Sequence, residues 1–267
     1  MNMKTLVLGA DGYLGWPLSC KLAQQNGSLV LVDNEFKRAI ATDIGVASLF
    51  KLDNFLTRSD SLKNGGLAEI QAIHSDLADW SEVEKIFSDH GPFDTIFHLA
   101  EQPSAPYSMM NGGSSLQTLT NNISITNNIV FAIEKYSPES HLVHIGTMGE
   151  YGTPNIDIEE GWLNINHKGR SDKFIFPRQA SSVYHTSKIM TTDLIWLAVR
   201  TWGLAATELM QGPVYGLSSF LFPTLVHGTG HFYYDEVFGT VLNRFVTQAA
   251  MNEPLSVYGK GKQIRGY

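Results

Sequence analysis

Cysteine is nearly missing: Cys20 stands alone among 267 residues. A lone thiol excludes a disulfide framework within the chain and fits a reducing compartment, with the cytoplasm as the expected location. Cys20 falls in an expected helix and reads as a small buried residue rather than a reactive thiol. Basic residues are also scarce, and 19 Lys and Arg against 26 Asp and Glu leave a net charge of −7. That argues against nucleic acid as a partner, since such binding needs a basic stripe. No apolar run reaches the ~18 residues that a membrane span requires, so no membrane insertion is expected. Met1–Lys4 is too short for a leader, so the mature chain is expected to begin essentially at its fold. Internal repeats and low-complexity tracts are missing as well. The nine histidines show no metal-ligand spacing, and no metal is expected.

What the chain does have is an alternation of short apolar runs with longer amphipathic ones. Thr5–Leu8, Ser28–Val32, Ile70–His74, Thr95–Leu99, His141–Ile145 and Ala205–Leu209 read as buried strands. Tyr13–Gln25, Ser81–Phe87, Ser115–Tyr136, Val183–Trp202 and Phe238–Met251 read as helices, with helix plus loop over Phe36–Ser61. Asn26-Gly27, Asn64-Gly65-Gly66, Gly91-Pro92 and Ser137-Pro138 punctuate them. This rhythm predicts an α/β chain, a Rossmann-type doubly wound parallel sheet with helices on both faces. Trp162–Asn166, His167–Arg170 and Phe174–Phe176 predict a β-hairpin inserted at about 160–178. Leu217–Asp235 reads as a long loop. The expected division is a dinucleotide-binding domain over 1–216 and a small, truncated substrate-binding part over 217–267. The chain stops at Gly266-Tyr267, in what reads as a strand approach.

The strongest chemical signal is the loop Gly9-Ala10-Asp11-Gly12-Tyr13-Leu14-Gly15. A strand that turns sharply into a helix lets a pyrophosphate approach its backbone and meet the helix N-terminus. Its position between the first strand and first helix is the context that gives a glycine motif meaning. Asp33 follows the second strand, where an acid takes the adenine ribose hydroxyls and repels a 2′-phosphate; NAD is therefore the expected cofactor. Lys37 and Arg38 lie close by. Asn34, Asp76 and Leu77 are expected around the adenosine, with a turn-capping role open for Asp76. Leu99 and Ala100 end the fourth strand beside the cofactor, and His98 reads either as a site residue or as a satisfied core histidine.

Tyr184 and Lys188 are spaced to share one helix face. A phenol titrates near 10 in water, and a nearby ammonium together with the nicotinamide charge would lower that value and make Tyr184 a base. Thr147 lies just past the fifth strand, at the carboxyl edge of the sheet, where its hydroxyl can hold the same substrate oxygen. The acidic run Asp157, Glu159 and Glu160 reads as a solvated loop.

Together, the glycine loop, Thr147 and the Tyr184/Lys188 pair resemble the extended short-chain dehydrogenase/reductase superfamily. Within it, Gly146–Gly161 is similar to the UDP-sulfoquinovose synthase family. Gly12–Trp16, Ser104–Met109, Gln179–His185 and Val257–Gly261 carry the same likeness. The resemblance implies conversion of UDP-glucose and sulfite to UDP-sulfoquinovose, the sulfolipid head-group donor, with NAD recycled internally. It implies catalytic roles for Thr147, Tyr184 and Lys188, with Glu150 or His185 for proton work at C5 and C6. Dehydratases of the superfamily carry Thr-Asp-Glu where this chain has Thr147-Met148-Gly149. It further implies that Gln102, Thr147, Gln211 and Arg265 bind substrate, and that a homodimer forms through the Ser115–Tyr136 and Val183–Trp202 helices. Pro103 stands where the family usually has Arg, Met210 where it usually has Asn, and the loop Leu217–His231 also differs. Two other readings stay open: an NAD-dependent sugar-nucleotide epimerase or 4,6-dehydratase, and a non-catalytic NAD-binding protein.

Overall fold

The structure is a computed structural model that describes residues 3–25, 27–65, 68–159, 161–217 and 230–261. Six strands form one parallel sheet: β1 (Met3–Leu8), β2 (Gly27–Asp33), β3 (Glu69–His74), β4 (Thr95–His98), β5 (His141–Thr147) and, after a hairpin of β6 (Trp162–His167) and β7 (Arg170–Ile175), β8 (Ala205–Gln211). The spatial order is β3-β2-β1-β4-β5-β8. The chain reverses direction of winding between β1 and β4, and ligands bind such sheets in the crevice beyond the carboxyl ends at that point.

Strand alternation builds the two cores. Leu6 and Leu8 face one side of the sheet with Val83, Phe87, Ile129 and Ile195. Val7, Leu29 and Leu31 face the other side with Trp16, Phe55 and Leu62. Each fully buried side chain of this kind contributes roughly 1.5–3 kcal/mol. The first core rests on α4 (Trp80–His90), α6 (Gly112–Tyr136) and α7 (Val183–Trp202); the second rests on α1 (Gly15–Ala23) and α3 (Phe55–Gly65). The remaining helices are α2 (Phe36–Asp43), α5 (Ala105–Ser108) and α8 (Val241–Ala250). Cys20 is buried on α1, and burial raises its thiol to about 12.

Several boundaries differ from the sequence expectation. α1 begins at Gly15 rather than Tyr13, because the backbone still turns through Leu14, with Gly12 N donating to Gly9 O at 3.2 Å. α3 runs through Asn64 and Gly65, which the sequence marks as loop; Gly66 lies outside the described residues. The short α5, where Pro106 sits in the first turn and Ser104 caps, was not expected. A 3-10 turn at Met148–Tyr151 also follows β5 directly. α8 starts at Val241 rather than Phe238, since the Asp235 carboxylate accepts the Val237 and Phe238 N–H groups and holds them in a turn. The hairpin forms with His167 opposite Arg170. Its Lys168-Gly169 turn has φ of 50° and 75°, the primed geometry that suits a two-residue connection. Of the expected long loop, 218–229 lie outside the described residues, and 230–235 carry no helix or strand.

The glycine loop is set from below by a buried carboxylate. Asp11 is 2% exposed and meets two guanidinium groups and an imidazole. Arg38 reaches its two oxygens at 2.7 and 2.9 Å, Arg58 bonds Oδ1, and His231 Nε2 lies 3.0 Å from Oδ2. Arg58 also lies 3.8 Å over the Trp16 ring. One acid thereby ties the loop to α2, α3 and the 230–235 segment. Burial would raise the Asp11 carboxyl, but the His231 hydrogen bond and the Arg58 charge outweigh it and hold it below the usual range. Removing one partner of a buried ion cluster leaves the others uncompensated. Asp11→Asn should therefore cost about 3–5 kcal/mol in urea unfolding, and a loss below about 1 kcal/mol, the size of a surface pair, would contradict this reading.

Candidate active site

A cavity of about 1350 Å³ opens at the carboxyl ends of the strands. It exceeds the ~300–1,000 Å³ of a typical single-ligand pocket. Gly9, Gly12, Tyr13, Leu14 and Gly15 line one end, together with Asp33, Asn34, Leu77, Leu99 and Ala100. Thr147, Tyr184, His185 and Gln211 line the other. The expected cofactor and substrate ends thus belong to one cleft.

Backbone packing explains the glycines. A Cβ on Gly15 would lie 1.9 Å from Gly9 O, and one on Gly9, at φ +81°, would lie 2.6 Å from the Leu99 carbonyl. No side chain caps α1 and no acid occupies its first turn, which leaves its N-terminus suited to an anion. Asp33 is oriented by two backbone donors, Asp11 N at 2.9 Å and Glu35 N at 2.7 Å. Burial raises its carboxyl to about 6, with the Asp11 charge adding to the rise. Lys37, which sits over the Tyr233 and Phe238 rings, also lines this end. Arg38 is turned instead to Asp11 and Glu35.

Two residues expected at the cofactor, Asp11 and Asp76, are not among those that line the cavity. The Asp11 side chain serves the buried ion cluster and does not line the cleft. Asp76 accepts the Ala78 N–H at 3.0 Å and the Asn34 amide at 3.3 Å through the same oxygen, as a turn cap does.

At the other end, α7 presents Tyr184. Ser182 caps the helix by accepting His185 N at 3.1 Å, and Ser108 Oγ accepts Tyr184 N at 3.0 Å. Thr147 Oγ1 accepts Gly149 N at 3.1 Å, which leaves its own O–H to donate into the cleft. His185 packs on Gly149 so closely that a Cβ there would lie 2.1 Å from Nε2, and Ser181 Oγ lies 3.0 Å from its Nδ1.

Beneath Tyr184 lies a polar network that sequence spacing did not reveal. The Lys188 ammonium, 1% exposed, bonds Glu101 and lies 3.0 Å from His144 Nε2. His144 Nδ1 is 3.1 Å from Glu208, which also accepts from Thr192. His98 sits beside it, with Nε2 2.9 Å from Thr126 Oγ1, and burial pushes its imidazole down to about 3. It is a core histidine at the cleft wall. The ligand atoms of His98, Glu101 and His144 come within 4.8 Å of one another, and Glu101 and His144 of this group hold the Lys188 ammonium.

This arrangement alters the expected base chemistry. The sequence reading has Lys188 lower the Tyr184 phenol. Burial instead raises it, and the Glu101 and Glu150 charges raise it further, because Glu101 and His144 hold the ammonium. Two further residues expected at the site lie behind the cleft wall. Gln102 does not line the cleft: its amide donates to Thr118 and Ser104 and accepts Ser104 N, while its backbone N–H bonds Asn122. Glu150 is fully buried behind Thr147, where Oε1 accepts Thr147 N at 3.3 Å and Oε2 lies 3.2 Å from Arg178. Arg265 and Glu160 lie outside the described residues. The hairpin meets the cleft only at its base, through Gly161, Trp162 and Ile175. Arg178 lines the cleft and was missed, since a single arginine after a hairpin carries no spacing signal.

The profile of the NAD dependent epimerase/dehydratase family matches residues 5–267. The chain is 43% identical over 99% of its length to the UDP-sulfoquinovose synthase, chloroplastic, of Spinacia oleracea, and spans 55% of that protein. It is 39% identical over 99% of its length to the UDP-sulfoquinovose synthase of Sulfolobus acidocaldarius, and spans 67% of it. The solved UDP-glucuronic acid 4-epimerase from Bacillus cereus, in complex with UDP-glucuronic acid and NAD, shares the fold with a TM-score of 0.65. Its identity is 20%, with 98% of this chain and 67% of that one covered.

Glu150 yields a pH prediction. Burial, and then the Glu208 charge, raise its carboxyl to about 7, against roughly 4.3 in an unfolded chain. Between those values the folded chain binds more protons than the unfolded one, so this group makes stability fall as pH rises through the window. Glu150→Gln has no such proton, and should flatten the slope by on the order of 2–3 kcal/mol between about pH 5 and pH 8. Urea unfolding at several pH values checks this; identical slopes in both proteins would refute it.

Proposed function

Because this chain belongs to the NAD dependent epimerase/dehydratase family, we propose that it binds NAD and forms UDP-sulfoquinovose from UDP-glucose and sulfite. The observation that carries the reading is one cleft lined by Asp33 and the glycine loop at one end and by Thr147, Tyr184 and His185 at the other. The identities to two proteins named for this product support the choice of substrate. The residues fit the cofactor: an uncapped helix N-terminus for the diphosphate, Asp33 for the ribose diol, and volume for a second nucleotide.

Held by the glycine loop and Asp33, NAD would supply a reversible hydride acceptor for C4 of the sugar. Thr147 donates its hydroxyl to O4, and Tyr184 takes the O4 proton as C4 is oxidised. The C4 ketone then acidifies C5–H. His185, which lines the cleft where Glu150 does not, takes that proton and passes it to O6, which leaves as water. Bisulfite forms the carbon–sulfur bond at C6 and its proton goes to C5. Tyr184 finally returns its proton to O4. The sum is UDP-glucose plus bisulfite giving UDP-sulfoquinovose plus water, with no net redox change.

Lys188 is engaged by Glu101, so a bound nicotinamide would supply most of the positive charge that favours ionised Tyr184. Leu116, Phe131, Leu197 and Trp202 leave an exposed apolar face on α6 and α7, which supports a homodimer through these helices. No helix among the described residues is long and apolar enough to cross a membrane, and we place the enzyme in the cytoplasm.

Incubation with UDP-glucose, NAD and sulfite should yield UDP-sulfoquinovose by mass spectrometry. Tyr184→Phe should lower the rate at least ~10²-fold, the range of acid–base catalysis, while cofactor content is retained. No product from the NAD-loaded protein, or a 4-keto-6-deoxy sugar formed without sulfite, would overturn the proposal.

A further inference from the structure

The sugar end of the cleft contains a buried cation whose donors are not all used. Arg178 follows the hairpin, lines the cleft with Thr147, Tyr184 and His185, and has a side chain only 7% exposed. Its Nη1 lies 3.2 Å from Glu150 and 3.8 Å from Asp193. Neither Nε nor Nη1 makes a hydrogen bond within the described structure. Burying unmet guanidinium donors is costly, and native proteins ordinarily satisfy them. The other Lys or Arg among the described cleft residues, Lys37, sits by Asp33 at the opposite end. Among the described residues that line the sugar end, Arg178 is the one Lys or Arg, and its guanidinium is a planar fork suited to oxyanions.

The partner of that fork is a poor competitor for it. Glu150 is fully buried, with one oxygen on the Thr147 N–H and the other toward Arg178. Burial raises its carboxyl to about 7, so it gives up its charge readily when a second anion approaches the guanidinium.

We propose that Arg178 is the anion-receiving side chain of the cleft, a subsite for a small oxyanion of the sulfite class beside Thr147 and His185. This rests on the reading that the chain adds sulfite to a UDP-sugar. The same chemistry could serve a phosphate of the sugar nucleotide, and the kinetics separate the two sources.

The test uses the full chain with its cofactor bound. Arg178→Gln should raise the KM for sulfite at least tenfold and leave the KM for UDP-glucose and the cofactor content unchanged, while Arg178→Lys recovers part of the loss. An unchanged sulfite KM, or a rise confined to UDP-glucose, overturns the subsite. A wild type that makes no UDP-sulfoquinovose overturns the parent function instead. In that event calorimetric titration with sulfite decides the subsite alone: the wild type should bind, and Arg178→Gln should bind at least tenfold more weakly. Equal binding, or none, overturns it. Should Arg178→Gln not fold, Glu150→Gln, which removes the competing carboxylate, should tighten sulfite binding, and unaltered affinity would refute the proposal.

Discussion

The buried ion pair between Lys188 and Glu101 is the constraint on which the cleft depends. An ammonium that is 1% exposed must have a counter-charge at contact, because a lone buried charge is far too costly. Glu101 follows β4, His144 lies on β5, Glu208 on β8 and Lys188 on α7. Their mutual satisfaction fixes the helix against three neighbouring strands. Tyr184 stands one turn earlier on the same helix face, so the lysine sets where the phenol meets the cleft.

The opposite end obeys the same rule with the signs reversed. There a carboxylate, Asp11, is buried among Arg38, Arg58 and His231. The glycine loop needs close backbone contact between Gly9 and Gly15, and a fixed Asp11 between them keeps that turn tight. The cleft is thus pinned at both ends by buried ionic clusters, with Thr147 at the end of β5 and Tyr184 on α7. Glu150 joins the sugar end to this scheme through Thr147 and Arg178.

Much of this was legible in the sequence. Alternating apolar residues in β1 and β2 are buried on both faces, and such runs announce a parallel sheet. The glycines and Asp33 were readable because local geometry demands them at fixed spacing. Tyr184 and Thr147 lie in the cleft for similar reasons: helix periodicity and the carboxyl edge of a strand. What could not be read is pairing across the sheet. Glu101, His144 and Glu208 are 43 and 64 residues apart, and only strand order brings them together. Helix spacing therefore pairs Lys188 with Tyr184, its sequence neighbour, and does not reveal Glu101. Gln102 and Glu150 carry no clear signal for a related reason, since an amide or carboxylate beside a site can equally brace the loop that forms it.

The most direct test of the account is a crystal structure of the chain with NAD and UDP-glucose bound. The account predicts the adenine ribose diol on Asp33, the cofactor diphosphate at Gly9–Gly15, and the Tyr184 hydroxyl within hydrogen-bond distance of sugar O4. A cofactor bound outside this cleft, or a sugar whose O4 lies away from both Tyr184 and Thr147, would contradict it.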